Sequence, residues 1–214
     1  MIYTGIGSRS TPRSILDLMT EVGIYFGKHG ITLRSGGASG ADTAFEQGCD
    51  SVGGPKQIFF PSQNFNGKLA SNRPGTYWMG GPFVDTQMAL AEAEIIWNIR
   101  NNMPCIWKHL KCFTQLLMGR NTLQILGPTL QTPTKIVICW TKDGEAIGGT
   151  GQALSMAQSI NENIKLSYVI PILNLQKESH REAIVNVLKG ANPIKLIDYA
   201  QEMTRLQYNK EIKE

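Results

Sequence analysis

Three glycine-rich turns stand out: GIGSRS (residues 5–10), RSGGASGAD (34–42) and IGGTGQA (147–153). Each follows an apolar, strand-like run and precedes a stretch with helical spacing of apolar residues. Glycine lets main-chain N–H groups approach an anion, Ser and Thr hydroxyls add hydrogen bonds, and helix N-termini add positive potential. The chemistry this suits is capture of a phosphorylated ligand. Its candidate contacts are Gly7, Ser8 and Arg9 in the first turn, and Ser35, Gly36, Gly37, Ala38, Ser39 and Gly40 with Asp42 in the second. The third turn contributes Gly148, Gly149, Thr150, Gly151 and Gln152. One such turn is weak evidence, because a tight strand-to-helix turn needs glycine for positive φ or close packing alone. Three on one sheet edge favour a ligand. Neither GxxxxGK[ST] nor GxGxxG is present, which argues against ATP hydrolysis and ordinary hydride transfer.

The elements that position these turns follow from periodicity. MIYTGIG reads as a strand, with Thr11 as N-cap and Pro12 as first residue of a helix carrying Ile15, Leu16, Met19, Val22 and Phe26 and closed by Gly30. ITLRS, KQIFFP, KIVICW and LSYVIPIL read as further strands; ADTAFEQGCD, QALSMAQSI, KESHREAIVNVLKG and the C-terminal LIDYAQEMTRLQYNKEIKE read as helices. Residues 62–82 lack periodicity and are expected to be a loop or lid. Beyond them, Asp85 caps one helix, and CIWKHLKCFTQLLMGRNTLQIL carries an apolar stripe through Leu110, Phe113, Leu116, Leu117 and Leu123. Within it Arg120 and Asn121 stand among apolar neighbours. Alternating strands and helices predict an α/β fold: a Rossmann-like, open, mainly parallel sheet with helices on both faces. All three turns then fall on the carboxyl edge, where ligands bind in such sheets.

The 214 residues, 18% charged and 42% hydrophobic with a net charge of +4, suit one domain over 1–214, with a helical and loop insertion around 64–111. The charge is too small for a dedicated nucleic-acid binder. No apolar run suits a membrane span and no leader is legible, so a cytoplasmic protein is expected, without membrane association. Cys49, Cys105, Cys112 and Cys139 lack CxxC spacing and are expected to be reduced and structural. His29, His109 and His180 are isolated, so neither a metal nor a cofactor is expected. Trp140, Tyr77 and Trp78, with Arg73 and Phe83, are candidates for stacking on a base, against the alternative of ordinary core or loop packing. Asp143 and Glu145 read as solvated turn residues.

In order along the chain, GSRSTP, LRSGGASGADTAFEQG, GRNTLQILG and IVICW…GGTGQALSMA resemble the Rossmann domain of the DNA-processing protein A (DprA/Smf) family. The resemblance spans most of residues 1–173 apart from the insertion. That family belongs to the SLOG superfamily, which includes the Lonely Guy phosphoribohydrolases and nucleotide-signal sensors, and short versions are common in bacteriophage genomes. The resemblance implies phosphate contacts at Ser8, Arg9 and the 35–40 turn, an acidic partner at Asp42, the paired Arg120 and Asn121, and a homodimer or higher homo-oligomer. Ile194, Leu196, Ile197 and Tyr199 suit either a dimer surface or a cover for the sheet. Two departures weigh on activity. The Glu that supports N-glycosidic cleavage in Lonely Guy enzymes is Ser155 here, and the second basic residue of the family's RNR segment is Thr122. The chain after Gly190 is also too short for a winged-helix appendix. The expected function is therefore non-catalytic sequestration of a nucleotide-derived phosphorylated signal, such as an ADP-ribose derivative or cyclic nucleotide, in a phage anti-defence role within the host cytoplasm. The alternatives are a DprA-like single-stranded DNA-binding protein in DNA processing and recombination, a nucleotide hydrolase using another acid, and a structural module.

Overall fold

A computed structural model describes residues 1–102, 106–163 and 169–211. The chain runs β1 (Ile2–Gly7), α1 (Arg13–Lys28), β2 (Thr32–Ser35), α2 (Ala41–Ser51), β3 (Lys56–Phe60), β4 (Asn64–Phe65), β5 (Lys68–Leu69), β6 (Thr76–Trp78) and α3 (Thr86–Asn101). It continues with α4 (Cys112–Leu126), β7 (Val137–Trp140), α5 (Gly148–Asn163), β8 (Ile172–Asn174), α6 (Glu178–Leu188) and α7 (Pro193–Glu211). Six parallel strands form the main sheet in the order β6-β3-β2-β1-β7-β8. This is the Rossmann-like architecture anticipated from the alternation of elements. Alternate residues of β7 serve the two faces. Ile138 and Trp140 join the core under α1, α2, α6 and α7, whereas Val137 and Cys139 join the core under α3, α4 and α5. A strand buried on both faces reads as a continuous apolar run, as VICW does.

Several boundaries differ from the sequence reading. Helix α1 starts at Arg13 with Pro12 in the flanking position, and no side chain caps it. The Thr11 hydroxyl instead donates to the Ser8 carbonyl at 2.7 Å, closing the first turn on itself. Helix α5 starts at Gly148 rather than Gln152, so the third glycine-rich segment forms its opening turn. The last strand starts at Ile172; residues 166–168 of the expected strand, like Cys105, lie outside the described residues. The long helix expected from Cys105 is a short 3-10 turn, Trp107–His109, followed by α4, and Phe113 is exposed. Cys49 and Cys139 are buried, and burial pushes their thiols up to about 11 and about 12.

Residues 62–82 are not a structureless loop. Asn66 and Gly67, with φ of 50° and 70°, make a two-residue turn joining β4 to β5, and β6 adds an edge strand to the main sheet. Asn-Gly is the favoured pair for a hairpin that needs positive φ twice. The insertion is pinned by Glu46 of α2, a buried carboxylate that holds Lys56 at 3.2 Å, Lys68 of β5 at 3.1 Å and Arg73. Burial pushes the Glu46 carboxyl up, but the Arg73 hydrogen bond and the charges of Lys56 and Lys68 outweigh it and leave its pKa below the ordinary value. A depressed carboxylate contributes stability that is full above its unfolded pKa, about 4.3, and is lost as pH falls through the folded value. Thermal melts of wild type and Glu46→Gln should accordingly differ most near neutrality and converge below that window. A constant difference down to strongly acidic pH would disprove this electrostatic fastening.

In α7, Leu196, Ile197 and Ala200 are buried against the sheet, whereas Ile194 and Tyr199 are exposed. The apolar C-terminal segment thus covers the sheet with one face and leaves another open. No helix among the described residues is long and apolar enough to cross a membrane.

Candidate functional site

Strand β1 lies between β2, whose connections run over one face, and β7, whose connections run over the other. A crevice opens at the carboxyl ends of strands at such a reversal. Here it is a cleft of about 440 Å³. Gly7, Ser8, Arg9 and Ser10 line it from the first turn, Ala38 and Asp42 from the second, and Gly148, Gly149 and Thr150 from the third. Met118, Arg120, Asn121 and Gln124 of α4 form another wall, and Thr141, Lys142 and Glu145 follow β7. Thr141 is set by Asn174, whose side-chain nitrogen donates to its hydroxyl at 2.6 Å.

The glycines of the second turn answer to protein atoms. A Cβ on Gly36 would stand 1.3 Å from Nη1 of Arg120, so the close approach at this backbone is that of a guanidinium. Gly37, at φ 64°, backs onto the Phe60 ring, and Gly40, at φ 85°, onto the backbone of Ser8 and Arg9. The Ser35 hydroxyl is fully buried and donates to the Gly5 carbonyl at 2.7 Å, which makes it a pin between β2 and β1 rather than a ligand contact. Ser39 is exposed and does not line the cleft. In the first turn, the Ser8 amide donates to the Trp140 carbonyl at 3.1 Å, which ties it to β7, and Arg9 is exposed.

Arg120 and Asp42 form a buried pair, with Nη1 3.5 Å from Oδ2 and side-chain exposures of 8% and 4%. Gln124, with its amide oxygen turned toward the second turn, accepts from the Gly36 amide at 2.8 Å and from Arg120 Nη1 at 3.0 Å. The Arg120 Nε is buried without a partner, and its guanidinium stands 5.8 Å from the Phe65 ring centroid. Burial pushes the Asp42 carboxyl up; Arg120 and the amides of Ala38, Gly36 and Gly7 pull it back only in part, so its pKa stays above the ordinary value. Burial likewise lowers Arg120, against the attraction of Asp42. A long, incompletely bonded ion pair with a spare donor has capacity for an incoming anion.

At the third turn, Asn121 donates from Nδ2 to the Gly149 carbonyl at 2.9 Å and so links α4 to the start of α5. Gln152 points elsewhere: it is buried, and its Nε2 donates to the Ala93 carbonyl of α3 at 2.9 Å. The stacking candidates are also absent from the cleft. Trp140 is a core anchor, Tyr77 stacks on Phe59 with centroids 5.6 Å apart, Trp78 packs against the core, and Arg73 is committed to Glu46. Tyr77 and Trp78 lie on β6, an edge strand three places from β1, and so fall at the far side of the sheet from the cleft. The apolar surface in the cleft comes instead from Leu117, Met118 and Ile147. Sequence reasoning missed Gln124, although its position one helical turn after Arg120 was a usable signal. Lys142 and Glu145 carried no such signal. Comparisons of the chain with protein-family models, curated proteins and solved structures return no match.

Proposed function

We propose that the cleft holds a small, phosphorylated, nucleotide-derived molecule without cleaving it, and that the chain is a short DprA/SLOG-like protein acting by sequestration, in keeping with a phage anti-defence role. The observation that carries this reading is the buried Arg120, a cleft-lining residue beside the opening residues of α5 and Ser8 and Arg9 that keeps an unpartnered donor at Nε. A buried donor is costly to leave unmade, and an anionic oxygen satisfies it. The cleft volume falls within the range of small-molecule sites, about 300–1,000 Å³. Ser155, at the position of the Lonely Guy acid, is not among the cleft-lining residues.

Incubation with nucleoside monophosphates, NAD or ADP-ribose derivatives should give stoichiometric depletion of free ligand, with intact ligand recovered by chromatography after denaturation. Arg9→Ala should weaken the same binding about tenfold while the fold stays intact, through loss of one charge-assisted hydrogen bond. A second reading, hydrolysis, draws on one observation: Asp42 lines the cleft and burial raises its carboxyl above the ordinary value, the direction a general acid needs. Release of base or ribose phosphate over many turnovers would establish that reading. Tight, salt-dependent oligonucleotide binding with no small ligand retained would overturn both.

A further inference from the structure

Arg100, the penultimate residue of α3, belongs to the inserted segment and does not line the cleft, yet it grips the third turn from outside. Its Nη2 donates to the Ala146 carbonyl at 2.7 Å, and its Nη1 reaches the Gly148 carbonyl at 3.4 Å and the Gln152 Oε1 at 3.3 Å. Gln152 is fixed in turn by its bond to the Ala93 carbonyl, on the same face of α3 about two turns earlier. A Cβ on Gly151 would lie 2.1 Å from the Ala146 oxygen and 2.6 Å from Arg100 Nη2. Gly151 thus serves the approach of Arg100 as Gly36 serves that of Arg120.

This grip has a directional consequence. A trans peptide points its N–H opposite to its C=O. A Gly148 carbonyl drawn toward Arg100 therefore turns the Gly149 amide the other way, and Gly149 lines the cleft with Gly148 and Thr150. The α5 macrodipole disfavours a cation beside its N-terminus, whereas the α3 macrodipole favours Arg100 in that helix's last turn, so the two helix ends act on its charge in opposite directions. Burial, independently, lowers the Arg100 pKa. An anion bound at the opening turn of α5 offsets that disfavoured charge.

We infer that Arg100 is the positioning residue of the third turn: it couples the inserted helix α3 to the cleft by holding the Ala146 and Gly148 carbonyls away from the ligand. The inference rests on the cleft being the ligand site. Its two consequences are separable, because the order of the turn can be read without a ligand.

AMP serves as the probe, with hydrogen exchange across residues 147–154 measured on the unliganded chain. Arg100→Ala should speed that exchange and weaken AMP binding about tenfold, since two carbonyls and one amide oxygen lose their donor. Arg100→Lys keeps the charge but not the fork, so it should retain fast exchange and remain at least about threefold weaker. Full recovery by Lys would show that Arg100 acts by charge alone and would overturn the positioning role. Unchanged exchange in Arg100→Ala would overturn it too, whatever the affinity. Faster exchange with unaltered AMP affinity would mean that the turn is ordered by Arg100 but does not depend on it for binding, which also defeats the inference. If wild type does not bind AMP at all, the exchange measurement alone decides the positioning role, and only the ligand class of the cleft falls.

Discussion

Arg120→Leu is expected to abolish anion binding, with a loss of affinity above about a hundredfold, and to cost about 3 kcal/mol of stability at neutral pH. The two losses have different origins. Binding fails because the buried guanidinium with its spare Nε is gone. Stability falls because Asp42, 3% exposed, is left as a buried carboxylate with only the turn amides as partners. Burial already holds the Asp42 pKa above its ordinary value, and removal of Arg120 takes away an opposing influence and raises it further. For a carboxyl raised in the folded state, the folded chain binds the proton more tightly than the unfolded one. The penalty is therefore full above the folded pKa and is relieved as pH falls through it, the reverse of Glu46. Urea denaturation should show Arg120→Leu regaining stability as pH falls through the raised Asp42 pKa toward the ordinary carboxylate value. The double variant Asp42→Asn, Arg120→Leu should be within about 1 kcal/mol of wild type at neutral pH and still fail to bind, because replacing both partners removes the orphaned charge. Retained phosphate-ligand binding in either variant would remove Arg120 from the site.

Much of this arrangement was legible in the residues. The three turns were readable because their glycines interrupt apolar runs at strand ends, and parallel connectivity sends them all to one edge. What periodicity could not reveal was the direction in which each side chain points. Ser35 and Gln152 sit in the right segments but face the β1 backbone and α3. Tyr77 and Trp78 looked available while residues 62–82 read as a loop, and the Asn66-Gly67 pair was the overlooked sign that this stretch pairs. The second turn shows why composition alone misleads. Its glycines have the appearance of a phosphate cradle, yet at Gly36 the group that needs the space is Arg120, 84 positions away in the chain, and no local pattern encodes that approach.

Gly48→Ala should be strongly destabilising, with a loss of about 3 kcal/mol or more. Local preference argues the opposite, since alanine is better than glycine inside a helix by about 1 kcal/mol. Tertiary packing reverses the sign. A Cβ on Gly48 would lie 2.0 Å from the Thr20 carbonyl oxygen and 3.0 Å from the Ile24 amide nitrogen, both backbone atoms of α1. The reciprocal contact is equally tight, with a Cβ on Gly23 lying 2.5 Å from the Phe45 carbonyl oxygen. Backbone cannot rotate away as a side chain can, so only separation of the helix axes makes room. The site shares the consequence, because α1 and α2 begin at the first and second turns and moving them apart pulls Ser8 and Arg9 from Ala38 and Asp42. Gly119→Ala in α4 supplies the control. There the added methyl would meet the ends of flexible side chains, Met79 Cε at 2.7 Å and Leu90 Cδ2 at 3.0 Å, which can shift. Thermal melts should place Gly119→Ala within about 1.5 kcal/mol of wild type, with Gly48→Ala far below it or unfolded. Equal stabilities for the two variants would show that α1 and α2 are free to separate, and that the spacing of the first two turns is not set by this glycine contact.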